Sequence, residues 1–199
     1  MQRCVMLDVD GVVVDGQPAD GRPWASDIET DLGIAPDSLQ RHFFTPHWDD
    51  IVTGRKSLAE TLAGCLPLFA PSVRAETFID YWFARDARID PAVLLACDAL
   101  RQEGRRVFLA TNQEHLRAGD LMGRLGLAAH VDGIVHSAAV GARKPQRAFF
   151  EAAQRASGSA PHDTVLVDDN VANVGAARAA GWHAVHFRKA DSLLEILAP

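Results

Sequence analysis

Three times along this chain a short apolar run stops abruptly at side chains that carry charge or a hydroxyl. Cys4-Val5-Met6-Leu7 meets Asp8-Val9-Asp10-Gly11, Val107-Phe108-Leu109-Ala110 meets Thr111-Asn112, and Thr164-Val165-Leu166-Val167 meets Asp168-Asp169-Asn170. Runs this short, with no polar alternation, have the pattern of strands buried on both faces. The stretches between them carry helix signals. Asp90-Pro91 pairs an N-cap with proline at the first helical position, and Gly104, Gly126, Gly158 and Gly181 follow apolar-periodic segments as stops. Further runs at 131–136 and 182–187 read as two more strands. Strands alternating with helices predict an α/β fold, a doubly wound parallel sheet of Rossmann-like type with right-handed crossovers.

Residues 15–88 break this rhythm. They hold few Val/Ile runs, several helix starts and three of the four tryptophans, Trp24, Trp48 and Trp82. Expected helices run from Pro23 to Leu32, Pro36 to about Phe44, Ser57 to about Leu66 and Ser72 to about Ala84, with Ser57-Leu58-Ala59-Glu60 as a capping box. The expectation is a core of residues 1–14 and 89–199 and an inserted helical bundle at 15–88, hinged near Val14–Gly16 and Arg88–Pro91, with the tryptophans in the insert's own core. The eight histidines read as surface or packing residues.

A net charge of −6 leaves no basic face for nucleic acid. No segment approaches the ~18 apolar residues of a membrane span, and the early apolar run is broken by Asp8 and Asp10, unlike a signal peptide. Cys4, Cys65 and Cys97 lack metal-ligand spacing and read as buried thiols of a reducing, cytoplasmic compartment. Oligomeric state is not encoded in any pattern here.

In open parallel sheets ligands bind beyond the carboxyl ends of the strands. Asp8 and Asp10 are expected to point the same way there, since strand residues two apart share a face. Two such acids repel unless a cation joins them. Asp8/Asp10, Thr111/Asn112 and Asp168/Asp169 all fall at strand ends, and Lys144 begins the helix that leads to the strand ending at Asp168. This set suits phosphoryl transfer. One carboxylate attacks phosphorus, a second moves protons, and Mg²⁺ binds carboxylate and carbonyl oxygens, for which Asp8, Asp169 and the Asp10 carbonyl are suited. Lys144, the Thr111 hydroxyl and the main chain at Asn112 can hold phosphate oxygens.

At these residues the chain resembles the haloacid dehalogenase-like hydrolase superfamily. Leu7-Asp8-Val9-Asp10-Gly11-Val12 matches its D-x-D motif, Leu109-Ala110-Thr111-Asn112 its Ser/Thr motif, Arg143-Lys144-Pro145 its lysine motif and Val165-Leu166-Val167-Asp168-Asp169 its acidic pair. The resemblance extends to the place and size of a helical cap at 15–88, and looks closest to small sugar-phosphate phosphatases and the phosphatase domain of epoxide hydrolase. It implies Asp8 as nucleophile, Asp10 as acid/base, Asp169 as direct metal ligand and Asp168 either behind the ligands or bridging to the metal by water, the last two being interchangeable at this stage. The implied activity is Mg²⁺-dependent hydrolysis of a small phosphorylated metabolite such as a sugar phosphate. Related dehalogenases generally lack the second acid, so Asp10 favours phosphatase over dehalogenase. Phosphomutase and an inactive scaffold remain as alternatives. A response-regulator receiver is disfavoured because here the D-x-D comes first and the acidic pair last.

Overall fold

In the computed structural model, which describes residues 3–189 and 191–198, five strands form one parallel sheet. They are Cys4–Leu7 (β1), Arg106–Thr111 (β2), Gly133–His136 (β3), Thr164–Asp168 (β4) and His183–His186 (β5), in the order β3-β2-β1-β4-β5. β1 is central, with Leu7 opposite Leu109 on one side and Val167 on the other. Flanked on both edges and both faces, it can hold only apolar side chains.

The pleat sorts these side chains into two layers. Val5, Leu7, Val107, Leu109, Val165 and Val167 face the helix Pro91–Gln102, which contributes Val93, Ala96, Cys97 and Leu100. Cys4, Met6, Phe108, Ala110 and Leu166 face the helices Arg147–Ser157 and Val171–Ala179, through Phe149, Phe150, Ala153, Val174 and Ala177. This is the doubly wound α/β fold expected from the alternation.

The segment between β1 and Asp90 is helical and has a separate apolar cluster, built around Ile28, Phe43, Leu62, Phe78 and Trp82. The Ser57 hydroxyl caps Leu58–Cys65 by accepting the Glu60 N–H at 3.3 Å, and Asp90 caps Pro91–Gln102 through the Ala92 N–H at 2.9 Å. Two helices differ from expectation. The first is confined to Ile28–Leu32, because the Ser26 hydroxyl bonds the Pro23 carbonyl at 2.7 Å and holds the preceding residues in turns. The second, Pro36–Leu39, does not stop at Phe44. It widens to a π turn at Gln40–Phe44 and continues as Thr45–Val52. Pro46 has no N–H for the carbonyl one turn back, and a locally widened ladder accommodates that loss without ending the helix.

The chain enters and leaves the helical segment side by side. Val14 bridges Ile89 antiparallel, the Asp15 N–H donates to the Arg88 carbonyl and the Asp90 N–H to the Val13 carbonyl, both at 2.9 Å. Among the described residues no helix is long and apolar enough to cross a membrane.

Candidate active site

Sheet pairing ends one residue past β1, where the Asp8 N–H donates to the Val167 carbonyl at 2.9 Å. The chain then turns tightly. The Val9 carbonyl accepts from the N–H groups of Val12, Val13 and Val14, and Gly11 takes a left-handed φ of 78° that an L side chain would strain. The acids therefore do not project as alternate residues of one strand. Asp8 is buried, accepting the Val9 N–H at 2.7 Å and lying 2.9 Å from Lys144 Nζ. Asp10 turns instead into the cleft under the helical segment, where its Oδ2 accepts from Gln113 Nε2 at 2.7 Å.

Lys144 lies on the loop before Arg147–Ser157 and is 1 % exposed, although it bears a charge. Its ammonium reaches Asp8 at 2.9 Å and Asp168 at 2.6 Å. Burial pulls the ammonium down, but the two carboxylates outweigh burial and hold it above its ordinary value. The Asn112 side chain places this loop. Its Oδ1 accepts the Lys144 N–H at 2.8 Å and its Nδ2 donates to the Lys144 carbonyl at 3.0 Å, across the strand end from a cis Lys144–Pro145 bond. Both ends of the Asn112 side chain are thus committed to placing the Lys144 loop. The Thr111 hydroxyl, also at the end of β2, is buried with no partner.

At the end of β4 the two acids differ in surroundings. Asp168 is fully buried and fully engaged, by Lys144, by Asn173 Nδ2 at 3.0 and 3.1 Å and by the Asn170 N–H at 2.8 Å. Asp169 is exposed and its carboxylate lies against Gly11, where a Cβ would overlap Oδ2. One carboxylate oxygen from each of Asp8, Asp168 and Asp169 falls within 4.8 Å of the others. An all-oxygen set of this size suits a hard divalent cation such as Mg²⁺.

Burial first, and the concentration of charge second, raise carboxyl pKa values here. Burial pushes Asp8 up, the Asp168 charge adds to it, and Lys144 opposes both. Asp10 is pushed up to about 7 by the enclosing cleft walls, then by the charges of Asp8 and Asp86, with Arg117 opposing. Asp10 opens to solvent on its cleft side and is crowded by protein elsewhere, so its charged form loses solvation without being sealed off.

The structure thus brings Asp8, Thr111, Asn112, Lys144, Asp168 and Asp169 to adjacent strand ends, with Asp10 turned toward the cleft. Gln113, which holds Asp10, carries no motif signal beyond standing two residues after a strand end, whereas Asn173, which holds Asp168, belongs by its spacing to the acidic-pair pattern that the resemblance drew on. The family model for haloacid dehalogenase-like hydrolases matches residues 2–181. The chain belongs to that family.

Among its curated relatives is drimenol cyclase drtB of Aspergillus calidoustus, 32 % identical over 199 residues, 97 % of this chain and 35 % of that protein. The chain therefore spans about a third of that relative. Phosphoglycolate phosphatase of Nitrosospira multiformis is 28 % identical over 193 residues, 91 % of this chain and 81 % of the relative. In structure, a haloacid dehalogenase-like enzyme from Bacteroides thetaiotaomicron, solved with magnesium and inorganic phosphate, superposes at a TM-score of 0.82 with 16 % identity, covering 99 % of this chain and 100 % of that one. An L-2-haloacid dehalogenase from Xanthobacter autotrophicus shares the fold as well, at 0.61 with 18 % identity over 92 % and 76 %. The fold alone does not choose between a phosphate ester and a carbon–halogen bond.

Proposed function

We propose that the chain is a Mg²⁺-dependent phosphatase of small-molecule phosphate monoesters, working through an aspartyl-phosphate. The carrying observation is Asp10, a second carboxylic acid turned into the cleft just past the buried Asp8 and held there by Gln113 Nε2 at 2.7 Å, with burial and the Asp8 charge raising its pKa. An alkoxide leaving group needs a proton and a halide does not, so this acid favours the phosphate ester. The phosphatase relative supports the same substrate class.

In this reading the Asp8 carboxylate attacks phosphorus, and the bond from phosphorus to the alcohol oxygen breaks. Asp10 gives its proton to the departing oxygen, and the alcohol leaves. The ionised Asp10 then takes a proton from a water that attacks the aspartyl-phosphate. The acyl–phosphate bond breaks at phosphorus, restoring Asp8 and releasing inorganic phosphate. Lys144, the Thr111 hydroxyl and the main-chain N–H of Asn112 hold phosphate oxygens, the orphaned Thr111 hydroxyl then gaining a partner. Asp8, Asp169 and the Asp10 carbonyl would hold Mg²⁺, which offsets charge between nucleophile and phosphate. Asp168, spent on Lys144 and Asn173, acts on the ion through that network. Residues 15–88 serve as a cap over the cleft, and the unpaired buried cysteines fit a reducing cytoplasm.

Purified protein is expected to release phosphate from p-nitrophenyl phosphate with Mg²⁺ and to stop with EDTA. Asp8→Asn is expected to lose at least about a thousandfold in kcat while keeping its circular dichroism spectrum. Full turnover by Asp8→Asn would refute the covalent route.

A further inference from the structure

Two consecutive amides follow β2, and each reaches a different group of the site. Asn112 places the Lys144 loop, and Gln113 reaches Asp10, 103 positions away in the chain. Gln113 is 5 % exposed and is fixed from behind. Its main-chain carbonyl accepts the Ala138 N–H and the Ser137 hydroxyl, each at 3.2 Å. Its Nε2 donates to Asp10 Oδ2 at 2.7 Å, and among the described residues no other side chain bonds that carboxyl.

A protonated carboxyl has one oxygen that carries the proton and one that only accepts. A donor held against Oδ2 takes up the accepting oxygen and leaves the proton to Oδ1. Had the amide presented its oxygen instead, the acid would spend its O–H on Gln113. We infer that Gln113 is the positioning residue for proton transfer, keeping the Asp10 proton on Oδ1 and available to the leaving group. The inference rests on the phosphatase reading above and adds how its acid is held. As the bond from phosphorus to the alcohol oxygen breaks, its electron pair stays on that oxygen, which takes the Oδ1 proton. Asp10 is left as a carboxylate, and the bond from Gln113 strengthens as that charge grows. In the second half of the cycle the same bond holds the carboxylate that receives a proton from water.

The test compares ethyl, phenyl and p-nitrophenyl phosphate, whose leaving groups fall in basicity in that order. They are assayed with Mg²⁺ on the unaltered chain, on Gln113→Met and on Gln113→Asn. Methionine matches the length without the N–H, and asparagine keeps an amide one methylene short of Asp10. The quantity read is kcat/KM, which covers the steps up to departure of the alcohol. Loss of a positioned proton costs most where the leaving oxygen is most basic. Each variant is expected to lose at least about tenfold more on ethyl than on p-nitrophenyl phosphate, with phenyl phosphate between. A double-mutant cycle on phenyl phosphate gives a second reading. With Asp10→Ala already in place, Gln113→Met is expected to cost less than about twofold, since no carboxyl is left to position. Equal losses on all three esters, no loss on any, or an undiminished loss without Asp10 would overturn the positioning role and leave the phosphatase standing. Failure of the unaltered chain to hydrolyse any of the three would overturn the phosphatase reading and the role of Gln113 with it.

Discussion

Lys144 is a charge that this protein can bury only because two carboxylates meet it. It sits between Asp8 and Asp168 at 2.9 and 2.6 Å, with Asn173 and the Asn170 N–H taking up the remaining lone pairs of Asp168. Removing one member of such a buried group leaves the others uncompensated. Lys144→Met is therefore expected to cost about 3–5 kcal/mol in urea unfolding of the metal-free protein, as well as activity. Asp10 behaves in the opposite sense. Its folded value of about 7 stands above the ordinary 3.8, so between these values the folded protein keeps a proton that the unfolded chain has lost. Its contribution to stability is thus present at acid pH and is lost as pH rises from about 4 to about 7. Asp10→Asn is expected to raise the melting temperature of metal-free protein at pH 8, with the gain shrinking toward pH 5. A gain of equal size at both pH values would show that Asp10 is not perturbed in this way.

At the scale of elements, function depends on what happens just beyond each strand. The turn after β1 is held by the Val9 carbonyl and by Gly11, whose missing side chain leaves room for the Asp169 carboxylate. Gly11→Ala is expected to displace Asp169, to cost about 1–2 kcal/mol of backbone strain, and to raise the Mg²⁺ concentration needed for half-maximal activity. Unchanged Mg²⁺ dependence would separate Asp169 from the metal. Away from the site, Ser57→Ala removes the acceptor for the Glu60 N–H and is expected to lower stability by about 1 kcal/mol without changing kcat, read by thermal melting and by p-nitrophenyl phosphate turnover.

At the scale of the molecule, the oxygens of Asp8, Asp168 and Asp169 gather within 4.8 Å only when β1 and β4 are paired. A cation that binds this cluster in the folded state alone stabilises it by mass action, about 2.7 kcal/mol at a hundredfold excess over Kd. Mg²⁺ is expected to raise the melting temperature, EDTA to reverse the rise, and Asp169→Ala to abolish it. The apolar runs, their helix-capped connections and the chemical kinds at their ends were all legible in one dimension. Backbone sterics and burial act locally and repeat at fixed periods, so Cys4–Leu7 and Thr164–Asp168 announced themselves as strands. Three things were not legible. The course of Pro36 to Val52 depends on how a proline is absorbed by a widened turn. The different surroundings of Asp168 and Asp169 depend on which of them meets Lys144 and Asn173. The facing of Trp24, Trp48 and Trp82 into the Asp10 cleft depends on how one apolar cluster docks on another. Sequence by itself determined the doubly wound sheet and the set of groups at its edge. Only the tertiary structure decided which group each one touches, because hydrogen bonds and ion pairs between residues far apart in the chain, as from Lys144 to Asp8, are set by packing and leave no periodic trace along the chain.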